Sequence, residues 1–234
     1  MNYLSVGVDA KTKKGEKQGY LTGILYMAPA QVAGGRNMCP FSTAGCRAVC
    51  LYTAGRGGFN SVQEARIRKT LEFQNNPDEF CKLIVEDIVS LAKKAAKQDM
   101  IPAVRLNGTT DIEWEKYGIM EQFPDLQFYD YTKWPCGRRM SIPSNYHLTY
   151  SFSESPKAEL NAIGWKVRGF NTAAVFAGGL PTHFKIGETG VPVIDGDLSD
   201  LRFLDPKGVV VGLKTKGKAR GVVDAGTGFV QKGI

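Results

Sequence analysis

Apolar residues recur at helical spacing over residues 76–97, which form the clearest predicted element of the chain. Asn76 is placed to cap this helix, Pro77 suits its first turn, and Glu79 can close a capping box. Lysines gather at the C-terminal end, where the helix dipole favours positive charge. One face carries the apolar set Phe80, Leu83, Ile84, Ile88, Leu91 and Ala95. We therefore predict an amphipathic helix that packs on the core.

Shorter apolar runs alternate with further helix signals after this segment. Strands are predicted at residues 103–106, 126–131, 146–152, 173–177 and 209–213. Helices are predicted at 112–122, ending before Pro124, and at 156–163, between a Ser155 cap and a Gly164 stop. Strands separated by helices are typical of α/β proteins with a mostly parallel sheet and crossover helices. We predict a single α/β domain over residues 1–234, with a barrel-like sheet or a partial (β/α) barrel.

Composition narrows the protein class. The 234 residues are 43% hydrophobic, which suits a globular protein, and no apolar run approaches the length of a membrane span. The first 17 residues are polar and lysine-rich and lack the features of a signal peptide. We therefore expect a cytoplasmic protein without a membrane partner. In that reducing compartment, clustered cysteines indicate metal or redox chemistry before disulfides.

Three of the five cysteines, Cys39, Cys46 and Cys50, fall within twelve residues, with six and then three residues between them. Cys46 and Cys50 would share a face if that stretch formed a helical turn. Pro40 and Gly45 would bend the loop between the first two. Thiolates brought together repel one another, and a bound cation removes that cost. The segment is therefore predicted to be a metal-binding loop.

The spacing favours an iron–sulfur cluster over zinc, because structural zinc commonly uses two separate pairs of ligands. Three local thiolates suit a [4Fe-4S] cluster whose fourth iron is open or is held by Cys136, which follows a predicted strand. The alternative is a zinc site completed by His147 or His183. An open iron would suit S-adenosylmethionine. The spacing of six and three nevertheless departs from the three and two of the enzymes that cleave that molecule.

Polar residues at the predicted strand ends suggest a pocket beside the cluster, because parallel sheets place functional groups at this edge. Arg56, in a glycine-rich loop after the cysteines, would add positive charge for an anion. We predict a pocket for a small anionic molecule lined by Arg56, Asn107, Asp111, Lys133 and Lys214. The sequence does not decide whether the protein is an enzyme.

The net charge of +7 supports an alternative in another functional class. Basic residues that contact phosphates would make this a nucleic-acid-binding protein with structural zinc. The densest basic stretches are 11–17, 66–69 and 214–220.

Several motifs, taken together, resemble a bacteriophage family, the gene-product-eighty-eight-like proteins. They are Cys39-Pro40, Cys46, Cys50 and the stretches 53–57, 65–70, 104–108, 128–133, 197–203 and 213–220. The similarity begins near residue 20 and covers most of the chain. It implies a phage-encoded protein that acts in the host cytoplasm, and it implies no particular reaction.

Overall fold

The computed structural model describes residues 3–7, 10–216 and 228–234. In these residues ten strands form one sheet in the order β1-β2-β3-β4-β5-β6-β9-β8-β7, and β10 pairs with β6. The strands are β1 Leu4–Val6, β2 Tyr20–Leu25, β3 Ile101–Arg105, β4 Gln127–Thr132, β5 Tyr146–Ser151, β6 Thr172–Ala177, β7 His183–Ile186, β8 Thr189–Asp195, β9 Val210–Lys214 and β10 Val230–Lys232.

Parallel pairing dominates the sheet. Strands β2, β3, β4, β5, β6 and β9 pair in parallel in chain order, and β8 extends this parallel set beyond β9. Antiparallel pairs occur at both edges, between β1 and β2 and between β7 and β8. The α/β class and the mostly parallel sheet are therefore confirmed. Within the described part of the chain the edge strands β1 and β7 do not pair, so the sheet is open and a closed barrel is not confirmed.

Five α-helices accompany the sheet within the described ranges: α1 Ala10–Glu16, α2 Ala44–Ala48, α3 Asn60–Asn75, α4 Pro77–Lys97 and α5 Ala158–Val167. Helix α4 begins as its sequence predicts, because the Asn76 side chain accepts a hydrogen bond from the Glu79 N–H at 3.2 Å. Its apolar face is fully buried at Ile84 and Ile88. None of the helices in the described residues has the length and apolarity that crossing a membrane requires.

The two faces of the sheet bury different sets of side chains, because alternate residues of a strand point to opposite faces. Val104 and Phe128 belong to the main core, which also contains the buried residues of α4 and α5. Their neighbours Ala103 and Tyr129 face the other way and pack against Leu201. The segment around Leu201 therefore covers the second face of the sheet.

Two predicted helices are wrong in detail. Residues 112–122 form two 3₁₀ turns, Trp114–Tyr117 and Met120–Gln122, separated by Gly118 at φ +65°. A residue in this left-handed conformation cannot continue a right-handed helix, so the first turn ends there.

Helix α5 begins later than predicted and continues through Gly164 to Val167. It has no side-chain cap, because its first flanking residue is Lys157 rather than Ser155. The other predicted elements are present with shifts of one or two residues at their ends. The last part of the basic stretch 214–220 lies outside the described residues.

Candidate metal centre and cavity

The cysteine segment follows β2 and is shaped by a short capped helix. Thr43 is the N-cap of α2, and its hydroxyl accepts a hydrogen bond from the Cys46 N–H at 3.3 Å. Glu154, just beyond β5, accepts the Thr43 hydroxyl at 2.7 Å and the Gly45 N–H at 2.6 Å. This carboxylate satisfies donors at the helix N-terminus, where negative charge is favoured. Glu154 therefore holds the first turn of α2, which contains Cys46, against the end of β5.

Cys39 is held from two sides. Its Sγ accepts the Ala30 N–H at 3.3 Å and lies 3.7 Å from the carbonyl oxygen of Thr109. The same Thr109 donates its hydroxyl to the Met27 carbonyl at 2.5 Å, which joins the loop after β3 to the chain after β2. The first cysteine is thus positioned by the C-terminal ends of β2 and β3.

The chain after Cys50 is fixed by an arginine from α3. Arg66 Nη1 donates to the Tyr52 carbonyl at 2.8 Å. Its guanidinium lies 4.8 Å from the Tyr26 ring centre and 5.4 Å from the Tyr52 ring centre, within cation–π range. A Cβ added to Gly57 would lie 2.3 Å from the Tyr52 carbonyl oxygen, so only glycine fits there.

These loops enclose a cavity of about 550 Å³, which falls within the usual size of small-molecule sites. Its lining comes from the cysteine segment and from residues at or beyond the C-terminal ends of β2, β3, β4, β5 and β9. Residues of the segment 196–200 after β8 also line it, together with Lys14 of α1, Val175 of β6 and Phe229. The structure brings seven of the nine predicted site residues into this one lining: Cys39, Cys46, Cys50, Asn107, Asp111, Lys133 and Lys214.

The three cysteines of the lining are partly exposed and carry free thiols. Burial raises the pKa of each thiol, to about 12 for Cys39. The charges of Cys50 and Cys46 raise the Cys39 pKa further, so the three thiols lie within electrostatic range of one another. Ionising all three without a bound cation would therefore be costly.

Lys133 places an ammonium group in the cavity. Its backbone N–H donates to Asp111 Oδ2 at 2.7 Å, and its Nζ donates to the hydroxyl and the carbonyl of Ser151 on β5, the latter at 3.3 Å. Nζ also lies 4.9 Å from the ring centre of Phe229. Its positive charge lowers the pKa values of Cys46 and Cys50, which opposes the effect of their burial.

Asn107 and Asp111 brace the site through hydrogen bonds, although Asp111 Oδ1 accepts none in the described residues. The side-chain oxygen of Asn107, Oδ1, accepts hydrogen bonds from the Thr110 hydroxyl at 2.9 Å and from the Trp114 indole N–H at 3.2 Å. The Asp111 N–H donates to the Met38 carbonyl at 2.9 Å, beside the first cysteine. Asp111 Oδ1 lies 3.8 Å from Arg139 Nη1. Burial raises the pKa of Asp111, and the nearby Arg139 charge opposes that shift.

The other two predicted site residues lie elsewhere. Arg56 is exposed in the 3₁₀ turn Gly55–Gly58 and does not line the cavity. Cys136 packs against α5, where a Cβ added to Gly164 would lie 2.4 Å from its Sγ. His147 and His183 also lie outside the lining.

The cavity lining also contains a buried ion pair that no local sequence pattern indicates. Arg105, at the end of β3, is 5% exposed, and its Nη1 lies 3.0 Å from Asp200 Oδ2 and 3.2 Å from Oδ1. Its guanidinium also lies 4.9 Å from the Tyr131 ring centre. An arginine at the end of a predicted strand was the only available signal, because its partner is 95 residues away.

The lysines at one end of the cavity are partly neutralised. Lys214 Nζ lies 3.0 Å from Asp195 Oδ2, and Lys216 pairs with Asp197. Lys14 donates to the Asp197 backbone carbonyl. Lys214 therefore lines the cavity as predicted, but its charge is already paired.

No group of three or more Cys, His, Asp or Glu side chains is arranged to hold a metal ion in residues 3–7, 10–216 and 228–234. The three thiols share a cavity without forming a preformed site for one ion.

The fold and site define an α/β protein with an open, mostly parallel sheet and a cysteine-lined cavity at its carboxyl edge. The family model Gene product 88 matches residues 4–233, and the chain belongs to this family. This match confirms the resemblance to the bacteriophage proteins. Searches of curated proteins and of solved structures returned no match.

Proposed function

We propose that this phage protein binds a [4Fe-4S] cluster through Cys39, Cys46 and Cys50, and that the fourth iron faces the cavity. The observation that carries the proposal is the gathering of the three thiols in one cavity at the carboxyl edge of the sheet. Three thiolates supply the chemistry that iron–sulfur clusters need. The cluster's positive core would offset the cost of ionising buried thiols.

The geometry argues against the zinc alternative. In a tetrahedral site with Zn–S bonds of about 2.3 Å, ligand sulfurs lie about 3.8 Å apart. The described residues contain no such preformed group for a single ion. Cluster ligands each bind a different iron and therefore stand farther apart. We favour the cluster because Cys39, Cys46 and Cys50 line one cavity, and no histidine of the described residues joins them in its lining.

An open fourth iron is favoured by the absence of another soft ligand. Within the described part of the chain, the cavity lining contains no fourth cysteine and no histidine. Its carboxylates already have cationic partners: Asp111 with Arg139, Asp200 with Arg105, and Asp197 with Lys216. The open position would then be available to a small molecule.

S-adenosylmethionine is the small molecule that we propose for this position. The cavity is large enough for a nucleoside-sized ligand. Six parallel strands pair in chain order, and we infer that they curve as a partial barrel around the cavity. The cysteine segment follows the first of these strands, so the cluster would lie at the barrel mouth. We place the protein in the host cytoplasm, where thiols remain reduced.

Metal analysis of protein purified without oxygen tests the proposal. We expect about four irons and four sulfides per chain, with a broad visible absorption band. Replacing Cys39, Cys46 or Cys50 with alanine removes one of three ligands and should greatly reduce the iron content. Cys136→Ala is the matched control, because its thiol packs against α5 and its loss should leave the iron content unchanged.

Two results would contradict the proposal. Stoichiometric zinc without visible absorbance would replace the cluster with a structural metal. Salt-sensitive binding to DNA or RNA, with equal affinity in air, would then support the nucleic-acid-binding alternative. Loss of the cluster in Cys136→Ala would instead refute the open iron.

A further inference from the structure

Helix α5 is apolar on two opposite faces. Its inner face contributes three buried residues to the main core: Ala158, Ala162 and Trp165. On its outer face, Leu160, Ile163 and Val167 are 67%, 43% and 82% exposed. At about 100° per residue, the two sets point about 180° apart. An α-helix that is apolar all round is typical of an element that is covered on both sides.

The exposed residues of α5 form one continuous stripe on a firmly held helix. The spacings of three and four residues between Leu160, Ile163 and Val167 place these side chains next to one another. On the inner face, the Trp165 indole N–H donates to the Trp134 carbonyl at 2.9 Å. A contiguous apolar surface of this kind marks an interaction site, and its fixed helix needs little ordering on binding.

The charges beside the stripe indicate what covers it. Glu159 and Lys166 are both exposed and lie on the same flank of the stripe, seven residues or about two turns apart. Ile163 lies at the centre of this pair and of the apolar stripe. If two α5 helices pack antiparallel about a two-fold axis near Ile163, each Glu159 faces the partner's Lys166. A surface that complements its own reverse is what a two-fold contact between identical chains requires.

We propose that the outer face of α5 binds the same face of a second copy of this chain, with the two helices antiparallel. The inference does not depend on the proposed cluster. Leu160, Ile163 and Val167 of both copies form the apolar centre, and two pairs of Glu159 with Lys166 flank it. One helix face buries less than the about 800 Å² per partner of a standard interface, so the dimer should be weak, with a Kd in the micromolar range.

Sedimentation velocity of the full chain, with reductant and from about 5 to about 500 μM, measures the self-association. The wild type should change from monomer to dimer as the concentration rises. Glu159→Lys should weaken the dimer about tenfold, because both symmetric ion pairs become pairs of like charge, and Lys166→Glu should do the same. Glu64→Lys is the matched control: this exposed residue lies on α3, so the variant should dimerise as the wild type does.

A mixture of the two α5 variants tests the orientation of the helices. In a mixed dimer of Glu159→Lys with Lys166→Glu, the facing charges are again opposite at both ends. The mixture should therefore associate about as tightly as the wild type, although neither variant does so alone. The double variant Glu159→Lys/Lys166→Glu should also recover the dimer.

Three results would overturn the proposal. The first is a wild type that stays monomeric at every concentration, even if its α5 face binds a different protein. The second is a dimer that Glu159→Lys and Lys166→Glu leave unchanged. The third is a mixture of these variants that associates no better than either alone.

Discussion

Glu154 is predicted to hold the Cys46 turn in place, and its removal should loosen that turn selectively. The carboxylate accepts from the Thr43 hydroxyl at 2.7 Å and from the Gly45 N–H at 2.6 Å. In Glu154→Ala, water can replace the carboxylate at partly exposed Thr43. Gly45 is buried, so its N–H would lose its partner. A hydrogen bond to a charged group contributes about 1.5–3 kcal/mol, and we expect a loss of about 2–3 kcal/mol.

Glu154→Gln should cost less, about 1 kcal/mol, because the neutral amide can still accept from Gly45 and donate to Thr43 Oγ. Urea unfolding of metal-free protein measures both changes. Glu188→Ala is the control, since that side chain is 97% exposed and pairs with the exposed Lys185. Its loss should cost less than about 1 kcal/mol.

Hydrogen exchange localises the effect. If Glu154 stabilises the turn directly, the Gly45 amide should exchange about thirtyfold to a hundredfold faster in Glu154→Ala, which corresponds to about 2–3 kcal/mol. Amides in the middle of α4 should change less. An unchanged Gly45 exchange rate, or a stability loss equal to that of Glu188→Ala, would show that Glu154 does not stabilise the turn.

Three further predictions concern the frame of the site. Burial lowers the pKa of His147 to about 4, below its usual value of 6.5. Between these two pH values the unfolded chain binds more protons than the folded protein, so the folded state loses stability as the pH falls through this range. The loss approaches about 3 kcal/mol, and His147→Gln should flatten the pH dependence of urea unfolding. Arg105→Met should cost about 3–5 kcal/mol because it removes the guanidinium that pairs with the buried Asp200 carboxylate, while the double variant Arg105→Met/Asp200→Leu should cost less; equal costs would contradict the pairing. Gly57→Ala should lower stability by about 1–3 kcal/mol, because the new Cβ would meet the Tyr52 carbonyl oxygen, and an unchanged urea midpoint would contradict this.

The predictable part of this protein depends on local sequence. The start of α4 follows from Asn76 and Glu79, which are only three residues apart. The approximate strand positions follow from apolar runs. Because the carboxyl ends of parallel strands share one edge, the general rule for such sheets also placed Asp111 and Lys133 beside the cysteines.

The missing parts depend on long-range contacts. Glu154 accepts a hydrogen bond from Thr43, which lies 111 residues earlier in the chain. Arg105 pairs with Asp200, which lies 95 residues later. No local pattern identifies such pairs. The predicted helix at 112–122 is interrupted by Gly118, whose left-handed backbone at φ +65° ends the first 3₁₀ turn, and helix propensity alone does not place that break.

Cys136 shows how a strand-end rule can mislead. Cys136 lies only four residues after the end of β4, yet the chain turns after Lys133 and places Cys136 against α5. The Trp134 carbonyl accepts from Trp165 at 2.9 Å, and the Cys136 carbonyl accepts from Arg168 at 2.8 Å. These contacts direct Cys136 toward the helix layer, and the sequence gives no local sign of them.

The most direct test of the central claim is a Mössbauer spectrum of protein enriched in ⁵⁷Fe and kept without oxygen, recorded before and after addition of S-adenosylmethionine. We predict a [4Fe-4S] spectrum in which the signal of one iron in four shifts on addition, because Cys39, Cys46 and Cys50 would hold the other three. A spectrum without cluster iron, or four irons that all remain unchanged, would contradict it.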